Sequence, residues 1–144
     1  MLAVLPLALA ACGGSSSSSN PNSGNYDPAH TTIKDAGLEA CSESQSQIPQ
    51  NLSSGPGVQN TRGFFLAKDC KGQKTSPDFG MVIQYDSKQS VDAAYASING
   101  TIPKSSTAKY GPLIIITTGP HHAEYMAMIE QALQAQGAGG TMTT

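Results

Sequence analysis

Only three histidines occur in the 144 residues, and His121-His122, with Glu124 close behind, is the one concentration of metal-type side chains. Neighbours on a helix point about 100° apart, so this pair cannot share one ion unaided. The stronger intrahelical arrangement is His at i and i+4, and those positions hold Tyr125 and Met126. Asp27 and His30, or Met126 and Met128, would have to join from elsewhere. A Met and His set suits a soft ion such as copper, with zinc as the other candidate. A histidine beside a helix start is more often exposed or capping. The expectation is therefore no resident metal and no cofactor, with His121 and His122 as the positions to watch.

Catalytic patterns are sparse. Ser106-Thr107-Ala108-Lys109 fits Ser-x-x-Lys and is similar to the serine–lysine pair of penicillin-binding enzymes. There the serine opens a helix and the lysine lies one turn on. Here the tetrapeptide runs into Tyr110-Gly111-Pro112, which cannot supply that helix, so the match is read as chance. Gly55-Pro56-Gly57 has the outline of a phosphate-cradling turn, but it lacks a third glycine and a preceding strand, and Pro56 removes a donor. Glu39 and Glu43, alternating with Cys41, read as solvated strand charges. There is no Gly-x-Ser-x-Gly and no acidic pair flanked by stacking aromatics. The chain is expected not to be an enzyme. A small hydrolase is the remaining alternative, and it would need a pocket where a histidine meets an acidic or hydroxyl partner.

The clearest signal lies at the other end. Residues 1–11 are apolar apart from Pro6, too short a run for a bilayer span of roughly 20 residues. They have the length of a signal-peptide hydrophobic region. Leu9-Ala10-Ala11-Cys12, followed by Gly13-Gly14 and Ser15 to Ser19, resembles the lipobox of bacterial lipoproteins. The resemblance implies that the Cys12 thiol receives a diacylglyceryl group, with fatty acids such as palmitate, and that cleavage before Cys12 removes residues 1–11. Each buried methylene contributes about 0.8 kcal/mol, so two acyl chains anchor stably where one does not. The first basic residue is Lys34. The implied address is the cell envelope, on the extracytoplasmic side of a bacterial membrane.

With Cys12 assigned to lipid, Cys41 and Cys70 remain, an even number in a compartment where disulfides persist. They are expected to be bonded, closing a loop of about 30 residues for roughly 3 to 4 kcal/mol. Net charge is −2 and Arg62 is the single arginine. Lys68, Lys71 and Lys74 sit among Asp69 and Asp78, with no cluster of the kind nucleic acid requires.

Residues 12–26 are Gly, Ser, Asn and Pro rich, a lipid-attached flexible tether. The globular domain is expected over 27–137, with 138–144 frayed. Thr31 to Gly37 reads as a short helix, Leu38 to Ser42 as a strand, and Ser44 to Gly57 as a long loop. Arg62 to Cys70 and Phe79 to Tyr85 read as an antiparallel hairpin, the second strand half-buried by its alternation. A helix capped by Ser87 or Ser90 runs to Asn99, and Gly100 to Gly111 reads as a connector. Leu113 to Ile116 is an apolar run expected in a central strand covered on both faces. Gly119-Pro120 opens the last helix, whose core side carries His122, Tyr125, Met126, Ile129, Ala132, Leu133 and Gln136.

The fold class is α+β: a mixed four-stranded sheet, with a strand–helix–strand crossover and the two longer helices on one face. The function expected is that of a membrane-tethered, non-enzymatic binding or accessory module. Its contact surface would be the open sheet face or the Ser44–Asn60 loop, and its partner an envelope protein, polymer or small ligand. A metal-handling lipoprotein using His121 and His122 is the second reading.

Overall fold

A computed structural model of the protein describes residues 27–135. The expected leader over 1–11, Cys12, the expected tether up to residue 26, and residues 136–144 lie outside the described residues. Asp27–Asp35 forms helix α1, followed by strand β1 (Glu39–Glu43), a 3-10 turn (Gln45–Gln47), and a one-turn helix α2 (Gln50–Ser53). Strands β2 (Val58–Ala67) and β3 (Asp78–Tyr85) precede helix α3 (Lys88–Ile98). Strands β4 (Ser105–Tyr110) and β5 (Leu113–Thr118) lead into helix α4 (His122–Ala135). The α+β class holds, and β2 and β3 form the expected antiparallel hairpin, with Phe64 opposite Gly80.

The sheet has five strands, not four, in the order β1-β2-β3-β5-β4. The additional strand, β4, lies within the segment expected to be a connector. Its sequence hides it, because Ser105, Ser106 and Lys109 give no apolar alternation, and only Thr107 and Ala108 are buried. Adding one strand reverses the direction of the next. β5 therefore runs antiparallel to β3, and every neighbouring pair in the sheet is antiparallel, so the sheet is not mixed. The crossover through α3 joins β3 to β4, with β5 between them.

The longer helices lie on opposite faces, which corrects the single-face expectation. Tyr125, Met126, Ile129 and Leu133 of α4 pack with Ile33 of α1 on Phe64, Leu66, Val82 and Ile115. Val91, Tyr95 and Ile98 of α3 pack with Leu52 on Met81, Ile83, Ile114 and Ile116. Odd and even positions of β3 and β5 thus enter two cores, and no open sheet face remains over these strands. β3 is buried on both sides, with only Gln84 partly exposed. Its Gly80 looks like a solvent-side position, but a Cβ there would stand 2.6 Å from Leu66 Cδ1, so Leu66 fills the space.

Local chemistry sets the other boundaries. α1 starts four residues earlier than its threonines suggest, since Pro28 fits the first helical turn. It ends in a Schellman turn: Gly37 at φ +80° lets Leu38 N–H reach Ile33 O at 3.1 Å. The Ser44–Gly57 stretch is not an unstructured loop. Ile48 and Leu52 are buried and dock it onto the α3 side of the sheet. β1 carries a bulge between Ala40 and Ser42, and the bulged Cys41 is disulfide-bonded to Cys70.

Candidate functional site

The histidines do not converge on a common point. His121 immediately precedes α4 and is held by Asp78, at the start of β3: its Nδ1 lies 2.8 Å from Asp78 Oδ2, and its N–H donates to Asp78 Oδ1 at 2.7 Å. Its ring stacks on Tyr125 with centroids 5.5 Å apart. His122 turns instead to Ser106, Nδ1 to Oγ 2.8 Å, while its carbonyl accepts from Thr117 Oγ1 at 2.7 Å. His30 meets the edge of Phe64. Glu124 is paired with Lys68, whose hydrogen bond holds that carboxyl below its usual range. Among the described residues no group of three His, Cys, Asp or Glu side chains could hold a metal ion.

Other sequence candidates are separated by geometry. Ser106 and Lys109 point to opposite faces of β4, as residues three apart on a strand must. Ser106 meets His122 beside α4, whereas Lys109 reaches Asp92 of α3 at 3.1 Å and lies 4.9 Å over the Tyr95 ring. The serine–lysine match is thus two unrelated contacts. Glu39 accepts from Cys70 N–H at 2.9 Å. Glu43 pairs with Arg62, which holds its carboxyl below the ordinary range. Both glutamates are exposed on β1, as expected of solvated strand charges, and each also fastens this edge of the sheet.

The Gly55-Pro56-Gly57 turn is not a phosphate cradle. Asp86 and Ser90 crowd it, and a Cβ on Gly57 would fall 3.0 Å from Asp86 Oδ1. Hydrogen bonds from Ser90 and then Ser87 hold the Asp86 carboxyl below its usual range, so the local charge is negative. What the turn does is form one wall of a cleft of about 780 Å³.

This cleft lies between the α2 segment and α3. Leu52, Ile98, Ile102 and Tyr85 supply apolar surface, and Asn51, Gln89, Ser90 and Thr101 supply amides and hydroxyls. None of the residues lining it is charged. Its walls are fixed without a ligand. Asp86 N–H donates to Gly57 O at 2.8 Å, Ser90 Oγ donates to Asp86 Oδ1 at 2.6 Å, and Ser87 caps α3 by accepting from Ser90 N–H. Burial pushes the Tyr85 phenol up from its ordinary pKa. A smaller hollow of about 460 Å³ beside α1 contains Lys34, Glu39 and Lys68, and its Glu39 and Lys68 are already paired.

Sequence reasoning reached part of this cleft, through the Ser44–Asn60 segment, but missed its other wall. Ile102 in the supposed connector was the available signal, an apolar residue just beyond a helix with no strand partner to justify it. No family model, no curated protein and no solved structure matches the chain.

Proposed function

We propose that this chain is a membrane-tethered extracytoplasmic lipoprotein whose domain binds rather than catalyses, with the cleft between the α2 segment and α3 as its contact site. Cys12 carries the lipid in this reading, and residues 13–26 form the leash. Its support is the Leu9-Ala10-Ala11-Cys12 motif with its Gly and Ser run, together with a Cys41–Cys70 disulfide suited to an oxidising compartment. The observation that carries the binding role is the cleft itself: preformed, uncharged, and separate from every histidine. Its lining brings apolar side chains, amides and hydroxyls together, with no histidine or amine among them to activate a hydroxyl. The metal alternative has less support because the histidines do not converge with other ligands, and the hydrolase alternative because the His121–Asp78 and His122–Ser106 pairs line neither of the two clefts described.

The test combines two substitutions in the native host. Cys12→Ser should move the protein from the membrane to the soluble extracytoplasmic fraction. A photo-crosslinker at exposed Thr101 should capture a partner from the envelope, and Ser97→Trp, which fills the cleft from an exposed position of α3, should abolish that capture with the fold intact. Membrane retention of the Cys12→Ser form, or crosslinks indifferent to Ser97→Trp, would contradict the proposal.

A further inference from the structure

Tyr85 closes β3 and lines the cleft with only 4% of the residue exposed. Its backbone N–H donates to Pro112 O at 2.8 Å, but among the described residues its hydroxyl has no partner, and burial is the one cause acting on it. Nor is that oxygen sealed away. Among the described residues, the side-chain polar atom both sealed and unpartnered is Glu130 Oε1. The Tyr85 hydroxyl is thus neither sealed nor partnered among the described residues, on a side chain that lines the cleft, where a buried phenol would ordinarily have found a partner.

The surroundings restrict what that partner is. A charged ligand would leave water with no direct ionic partner, since no lining residue is ionised and the Asp86 carboxylate behind Ser90 is already held by the Ser87 and Ser90 hydroxyls. Leu52, Ile98 and Ile102 ask for an apolar body. The volume of about 780 Å³ lies in the range of about 300 to 1,000 Å³ typical of small-molecule sites.

We propose that the cleft takes one uncharged small amphiphile, its oxygen hydrogen-bonded to the Tyr85 hydroxyl and its apolar body along Leu52, Ile98 and Ile102. The ligand class rests on the cleft being the binding site proposed above. Because the Gly57–Asp86–Ser90 bonds already fix the walls, little ordering accompanies binding.

The test titrates the full-length, isotope-labelled protein with decanol, decanoate and decylammonium, read by amide shifts. Decanol should saturably shift Leu52, Ser90 and Ile98, with both charged analogues at least about tenfold weaker. Tyr85→Phe should weaken decanol about tenfold, one hydrogen bond's worth, while the ligand-free variant melts no lower than the wild type. Unchanged decanol affinity in Tyr85→Phe would reduce Tyr85 to packing and overturn the assignment. Monodecanoylglycerol and menthol, run alongside, separate a lipid from a compact alcohol as the source, and binding of either supports the class. Decanoate matching decanol overturns the ligand class and leaves the cleft standing as a binding site. If no probe reaches the cleft while crosslinks sensitive to Ser97→Trp persist, the ligand is larger and this inference falls alone.

Discussion

Asp78 and His121 form a two-point clasp between the start of β3 and the first turn of α4. One carboxylate oxygen takes the His121 N–H at 2.7 Å, and the other faces Nδ1 at 2.8 Å. Asp78 is only 2% exposed, whereas the His121 side chain is half exposed. Gly119 makes the approach possible, since a Cβ there would stand 2.7 Å from Asp78 Oδ1. The clasp makes unequal predictions for its two ends. Asp78→Ala strips the cap from the helix N-terminus and should cost about 2 to 3 kcal/mol. His121→Ala keeps the backbone bond and should cost about 1 kcal/mol or less. Urea unfolding of both variants checks this, and equal losses would mean that the ring, and not the cap, carries the contact.

The disulfide ties the bulge in the β1 edge to the segment after β2, across a separation of 29 residues. Replacing Cys41 and Cys70 by Ser should lower stability by about 3 kcal/mol. The β3–β5 centre should be retained, because its burial is independent of that edge. Hydrogen exchange separates the two regions: protection should fall in β1 and persist in β3.

Gly80 is a packing position. Gly80→Ala should destabilise by about 1 to 3 kcal/mol through collision with Leu66. Adding Leu66→Ala should cost less than the sum of the single changes, because the second substitution vacates the space the first one needs. Strict additivity in a double-mutant cycle would refute this account of the contact.

Glu130 on α4 has a sealed, unpartnered Oε1, and burial raises its carboxyl pKa. A carboxyl raised on folding favours the protonated form in the native state. Its contribution is fully present below the unfolded pKa and is lost as pH rises through the folded one. Glu130→Gln, which does not ionise, should therefore gain on the wild type between about pH 4 and pH 7. Paired melting curves at those values test the sign. A gap that narrows with rising pH would contradict it.

How much of this was legible in the sequence depends on which force wrote each element. Leu113 to Ile116 announced an interior strand because a run with no polar side has nowhere else to go. Ser87, with Val91, Tyr95 and Ile98 behind it, announced α3 through cap and period. β4 was silent, because its pairing with β5 comes from backbone bonds and its polar side chains carry no period. That silence propagated, since a missed strand inverts the direction of β5 and hides which face each helix takes. The alternation of β3 misled for a different reason: Gly80 looks exposed only because its space is filled by a side chain on another strand. The cleft was half visible. Its α2 wall lay in a segment singled out as a contact surface, while the Tyr85 hydroxyl reveals itself only once tertiary burial is known.

Intact mass spectrometry of the protein purified from its native host tests the central claim most directly. The account predicts a chain beginning at Cys12, heavier than its polypeptide by a diacylglyceryl group, with residues 1–11 gone. An unmodified polypeptide that still carries Met1 to Ala11 would contradict the anchor, the extracytoplasmic address and the functional reading built on them.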